Sequence, residues 1–239
     1  MLVRITNKCH MGCSHCMVDA SPDGQNMSME TYEKVLDFIG RNNLLMVLLS
    51  GGEPLDHPEI FNMVRMAQGK GLEVAILSNG LFLSDPDLKR RVLELGALIQ
   101  ITNDPRFYPI RVNPEEHPEV AIETHIRCVS PFGRAIKNGI ETQRQSPLCF
   151  NLRSLVRHFR DFRKAVIRLR FMGKMCTPSV NIDGTLVAGE APSCSSFGTV
   201  EDSNLALTNQ LAELRCSRCG LLNNLGNEHR EAIGEAWRT

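Results

Sequence analysis

Between residue 1 and about residue 127, short apolar runs of strand length alternate with longer amphipathic stretches that end at or near glycine. This rhythm admits few folds, because strands joined by helical crossovers lie parallel and a parallel sheet has to be covered by helices. Strands are predicted over 2–6, 45–49, 73–77, 98–102 and 120–126. Helices are predicted over 29–40 with Ser28 as its cap, 58–69 and 85–96. The stretch DPRFYPIRVNPEEHPE carries too many prolines for a full-length helix. The expected fold class is therefore α/β, an abbreviated partial (β/α) barrel or open sheet of parallel strands. Beyond it, apolar residues at 152, 155, 156, 159, 162 and 166 predict one amphipathic helix over 152–169. Asp183-Gly184 between two alternating runs predicts a two-residue hairpin, and 203–214 a last helix. The division expected is 1–145 for the parallel unit and 146–239 for a linker helix with a small α+β unit.

The 27 basic and 27 acidic residues cancel, so global charge gives no reason to expect nucleic acid or an anionic membrane surface as partner. The longest uninterrupted apolar run, 44–49, is far short of the roughly 20 residues of a spanning helix. No export signal or membrane anchor is read, and the expected location is the cytoplasm.

Nine cysteines cannot all pair within one molecule, and reduced thiols in such a compartment point to metal or redox chemistry. Cys9, Cys13 and Cys16 follow the first strand as C-x3-C-x2-C. Three thiolates can hold three irons of a [4Fe-4S] cluster and leave the fourth open to a small molecule. Zinc, with His10 or His15 as a fourth ligand, is the competing reading. Cys176, Cys194, Cys216 and Cys219 gather at the back, where a hairpin plus a C-x2-C pair also describes a zinc ribbon. A non-catalytic zinc module is the alternative from another class.

The front cysteines, SGGEP at Gly51, Gly52 and Glu53 after the second strand, and LSNG at Ser78 and Asn79 after the third stand in order at successive strand ends. Together they resemble the radical S-adenosylmethionine (radical SAM) superfamily, with His15 at a position that is usually aromatic. The resemblance implies that the triad binds a [4Fe-4S] cluster whose open iron chelates S-adenosylmethionine. Gly51 to Glu53 would hold its amine, with Ser78, Asn79, Thr102, Asn103 and Arg127 around its carboxylate and ribose. One-electron reduction of the sulfonium would yield a 5′-deoxyadenosyl radical that abstracts hydrogen from a substrate, in an oxygen-sensitive enzyme supplied by an external flavodoxin- or ferredoxin-like donor. The back cysteines, as C-x12-G-x4-C followed by C-x2-C, are similar to the twitch domain, a shortened relative of the SPASM domain, which implies a second, auxiliary [4Fe-4S] cluster. Dehydrogenases that pair an abbreviated core with a twitch domain share this layout. Dehydrogenation of an aminocyclitol or sugar-like small molecule, or modification of a peptide, is then expected. The tilt is to a small molecule, because Cys9 comes too early for a preceding peptide-recognition domain.

Cys128 and Cys149 read as buried thiols or, in an epimerase alternative, as hydrogen-atom donors. Arg153, Arg157, Arg160 and Lys164 recur at helical spacing, as a solvated face or as a site for an acidic group. Arg134, like Arg127, is a candidate contact to cofactor or substrate.

Overall fold

The computed structural model describes residues 1–127, 129–142, 148–171, 178–192 and 194–214. Cys128, Cys176, Cys216 and Cys219 lie outside the described residues, and so does the side chain of Cys149. The chain runs β1 (Leu2–Thr6), α1 (Met29–Arg41), β2 (Met46–Gly51), α2 (Ile60–Gly69), β3 (Glu73–Ser78), α3 (Pro86–Leu93), β4 (Leu98–Thr102) and β5 (Ile122–Glu123). It continues through α4 (Arg134–Lys137), α5 (Leu148–Phe159), α6 (Phe162–Phe171), β6 (Ser179–Val180), β7 (Thr185–Val187), β8 (Ser196–Thr199) and α7 (Asn204–Glu213).

These strands form one sheet in the order β5-β4-β3-β2-β1-β6-β7-β8, parallel from β5 to β6 and antiparallel through β7 and β8. The alternation read from the sequence is the alternation of its faces. Val3, Ile5, Val47, Leu49 and Ile76 are fully buried, in one core with Val35, Leu36 and Ile39 of α1 and with Met63 and Val64 of α2. Each such side chain contributes about 1.5–3 kcal/mol on leaving water. The intervening positions Arg4, Ser50, Leu77 and Gln100 face the opposite side. Helices α1, α3 and α7 start at side-chain caps: the Ser28 hydroxyl accepts from Thr31 N–H (3.0 Å), the Asp85 carboxylate from Asp87 and Leu88 N–H, and Ser203 from Ala206 N–H. Among the described residues no helix is long and apolar enough to cross a membrane.

Three expectations need correction. The fifth strand is only two residues long, because the chain after it is held by a side chain: the Asp104 carboxylate accepts Ile126 N–H at 2.7 Å where a ladder bond would otherwise run. The helix expected over 152–169 is broken at Arg160, which sits at φ +50. Asp161 restarts it by accepting Lys164 N–H (2.8 Å), and the break seats Phe162, fully buried, between Phe38 (6.0 Å between ring centroids) and Phe197 (5.8 Å). The hairpin loop has three residues, 182–184, since Asn181 N–H donates to Thr185 O and Gly184, at φ +82, closes a turn onto Asn181 O. A turn followed by a left-handed glycine is the usual three-residue solution.

Two members of the basic row are engaged. Arg157 Nε donates to Ala212 O (2.8 Å) and Arg153 Nη1 to Leu214 O (3.1 Å), so α5 supplies cations to the carbonyl end of α7. Arg160 and Lys164 are exposed.

Candidate active site

A cavity of 320 Å³ opens on the face of the sheet opposite α1 and α2, at the carboxyl ends of the parallel strands. Cys9, Cys13 and Cys16 line it together with Gly51, Gly52, Ser78, Asn79 and Thr102. Glu53, Asn103 and Arg127 do not.

The cysteine loop is placed by close backbone approach. Gly52 N–H donates to Thr6 O (2.7 Å) and Glu53 N–H to Lys8 O (2.8 Å), which fastens the end of β1 to the end of β2. A Cβ on Gly51, at φ +137, would stand 2.0 Å from Thr6 O, and one on Gly52 2.1 Å from Lys8 O. The two glycines are therefore required by the chain that carries the cysteines. The loop's far end is held by Arg134 N–H, which donates to Cys16 O at 2.9 Å. Cys9 Sγ accepts from Met11 N–H (3.4 Å) and from Asn79 Nδ2 (3.8 Å).

Burial and the neighbouring thiols push Cys13 up to about 12, although Arg134 pulls it down, and burial also raises Cys9. As neutral thiols they pack like small hydrophobes. Bound iron turns such a set into thiolates. Among the described residues no three His, Cys, Asp or Glu side chains are arranged to hold a single metal ion, whereas cluster cysteines each ligate a different iron and need another spacing. Three thiols on one wall of one cavity fit a cluster. His10 turns to Asp56 Oδ2 (3.1 Å). His15 lies against Phe107 and Tyr108, with ring centroids 4.8 and 5.3 Å away, and burial lowers its pKa. It serves there as a flat neutral ring.

Glu53 and Asn103 brace the site from behind. Glu53 is 5% exposed, and its carboxylate accepts Asn79 N–H (2.8 Å) and Leu55 N–H (3.2 Å), locking the end of β2 to the end of β3. Asn103 donates to Asn79 O (3.0 Å) and accepts Val112 N–H (3.1 Å). Burial pushes Glu53 up to about 7, reinforced by Asp56 and opposed by its hydrogen bonds. A carboxyl raised in the folded chain contributes stability that is full below its ordinary value of 4.5 and is lost as pH rises through about 7. The metal-free chain is thus expected to lose about 3 kcal/mol of stability on this account between pH 5 and pH 8. Urea unfolding at the two pH values checks this, and Glu53→Gln should remove most of the slope.

Sequence reasoning missed Arg4, Gln100, Tyr108 and Glu190, all of which line the cavity. For Arg4 the signal is present: one charged residue at an alternate position of an otherwise apolar strand, LVRIT. It also missed Asp104, which is fully buried, accepts from Arg106 Nε and Nη2 as well as Ile126 N–H, and is held well below the usual carboxylate range by Arg106. Three buried side-chain atoms lack a hydrogen-bond partner among the described residues: Arg4 Nη2, His15 Nδ1 and Arg134 Nε. All three belong to residues that line this cavity, although Arg134 Nε also lies 3.9 Å from Asp19 Oδ1. Cys194 lines a different cavity of 480 Å³ with Asn181, Pro192 and Leu214.

Comparison with known proteins agrees with this geometry. Over 109 residues, 40% of its length, the chain is 33% identical to a GTP 3′,8-cyclase of Campylobacter fetus. Over 86 residues it is 29% identical to the antilisterial bacteriocin subtilosin biosynthesis protein AlbA of Bacillus subtilis. The matches take in 34% and 19% of those proteins, so the chain spans about a third or less of the curated relatives it resembles. The crystal structure of BtrN in complex with AdoMet and 2-DOIA superposes with a TM-score of 0.58 at 13% identity, covering 89% of this chain and 81% of BtrN. Streptococcus suis SuiB bound to its precursor peptide SuiA gives 0.50 at 14% identity, covering 92% of this chain and 69% of SuiB. At such identities the likeness is one of fold. The model of the Radical SAM superfamily matches residues 3–125, more than half of the chain, and with three cysteines at the mouth of a parallel sheet this chain belongs to the radical SAM superfamily.

Proposed function

We propose that the chain is a radical SAM oxidoreductase that removes two electrons from its substrate. Superfamily membership brings one [4Fe-4S] cluster and S-adenosylmethionine, and the proposal assigns the cluster to Cys9, Cys13 and Cys16 and the cofactor to the 320 Å³ cavity beside them. When bound, the two supply a 5′-deoxyadenosyl radical that takes one hydrogen atom from the substrate. Ser78, Asn79 and Thr102 offer polar groups along the cofactor's path. Glu53 and Asn103 keep the loop of Asn79 in place. Arg127, which is exposed, is assigned an outer contact to the cofactor carboxylate.

The second electron is assigned to an auxiliary [4Fe-4S] cluster held by Cys176, Cys194, Cys216 and Cys219, so that in each turnover the substrate gives one hydrogen atom to the deoxyadenosyl radical, one electron to that cluster and one proton to solvent. The placement of Cys194 supports this reading: its cavity reaches Leu214, two residues before Cys216. BtrN is known in complex with AdoMet and 2-DOIA and SuiB with the precursor peptide SuiA, and either class suits an open cavity. The boundary proposed between the core and auxiliary parts is residue 145, with an external one-electron donor serving the front cluster.

The observation that carries the reading is the grouping of three thiols around one cavity whose lining also includes Arg4 and His15, each with a buried nitrogen that has no hydrogen-bond partner among the described residues. Anaerobic reconstitution should yield about eight iron and eight sulfide per chain. Adding S-adenosylmethionine and a reductant should then release 5′-deoxyadenosine. Zinc without sulfide, or no release, would defeat the proposal.

A further inference from the structure

Arg4 is 1% exposed, yet only part of its guanidinium is used. Nη1 donates to Ser179 Oγ at 2.9 Å and to Asn181 Oδ1 at 2.8 Å, which ties β1 to β6 and to the start of the hairpin loop. Nη2 has no partner among the described residues, and the side chain lines the 320 Å³ cavity. Burial lowers its pKa to about 10, which leaves it cationic at neutral pH. Cys194 and Glu190 both interact with the charge of Arg4, and Glu190, which also lines the cavity, makes no ion pair with it among the described residues. A staple between strands needs only the Nη1 side. A buried cation that lines a cavity and keeps a second nitrogen unpaired is costly unless something with an acceptor oxygen reaches it.

We propose that Arg4 anchors the substrate by an anionic oxygen, carboxylate or phosphate, received by Nη2 on the β1–β6 side of the cavity. The proposal rests on the reading that this cavity takes substrate beside S-adenosylmethionine, and it narrows the substrate class to oxyanion-bearing molecules, free or as an acidic group of a peptide. Arg4 lies five residues before Cys9 on the strand that leads into the cysteine loop. An oxyanion held there sits below the loop, and the rest of the substrate is directed towards it.

The test is a calorimetric titration of the reconstituted, S-adenosylmethionine-loaded chain with acetate, inorganic phosphate and acetamide. Acetate or phosphate should bind and neutral acetamide should not, and the stronger of the two identifies the group. Arg4→Gln should weaken that binding at least about tenfold, as for the loss of a hydrogen bond to a charged group. Arg4→Lys, which keeps the charge, should retain the preference for the anion and serves where the glutamine variant does not fold. Equal affinity for acetate and acetamide, an unchanged affinity in Arg4→Gln, or an affinity for S-adenosylmethionine that falls with that of acetate would overturn the assignment. Failure of the wild-type chain to bind S-adenosylmethionine at all would overturn the underlying functional reading instead.

Discussion

Replacing Cys9, Cys13 and Cys16 together by alanine is expected to abolish 5′-deoxyadenosine release while leaving the metal-free fold standing. Cys9 and Cys13 are buried, and burial raises both, so in the absence of iron they are neutral and contribute as small apolar groups. Losing each sulfur should cost only about 1 kcal/mol, comparable to a buried methylene. Their chemistry has no substitute: His10 is engaged with Asp56 and Glu53 with two backbone N–H groups, and the imidazole that lines the cavity, His15, cannot replace three thiolates. Iron and sulfide should each fall from about eight to about four per chain if the back cysteines hold their own cluster. Colorimetric iron and sulfide assays, with circular dichroism as the check on folding, read this directly. A triple variant that retains eight irons would show that the front thiols are not the ligands.

The second large effect is expected at a residue with no functional atoms. Gly52→Ala would place a methyl group 2.1 Å from the carbonyl oxygen of Lys8, and Gly51→Ala one 2.0 Å from that of Thr6. Both obstacles are backbone, so neither can swing aside as a long side chain could. The Gly51 variant is strained twice, because alanine at φ +137 is disfavoured whatever the space. Each substitution should cost about 3 kcal/mol or more, among the largest single-residue effects. Relief requires the segment from Thr6 to Cys9 to move away from β2, and that motion carries the first cysteine with it. Poor iron incorporation in a chain that still folds is therefore expected, measured as iron per chain beside the urea midpoint. A Gly52→Ala chain with wild-type stability and full iron would contradict the packing.

The parallel core was legible because burial on a covered sheet leaves a mark in the sequence. Every other residue of LVRIT and MVLLS faces helices whose own apolar residues recur at helical spacing. The motif residues followed, since glycines and cysteines at strand ends cluster wherever the strands are parallel. What stayed hidden depends on side chains acting at a distance along the chain. Asp104 takes over an N–H of the segment after β5, and no local pattern marks that strand as short. The break at Arg160 keeps the apolar period running from Phe159 to Phe162, so periodicity alone cannot see it. The basic row is largely a solvated face, as read, and what stayed hidden is that Arg153 and Arg157 also reach the carbonyls of Leu214 and Ala212, 61 and 55 residues later. Glu53 and Asn103 sat within the right motifs, and the structure uses both as struts behind the cavity wall.

The pairing of β6 with β1 bears on how this molecule can be cut. A fragment ending before the hairpin would turn the strand that leads into the cysteine triad into an outermost strand, with a bare row of amides and carbonyls along one side. Arg4 would lose Ser179 and Asn181 in the same stroke and stand as an unneutralised cation at that raw margin. Such a truncation should self-associate, so a usable fragment keeps β6 and extends past Asn181.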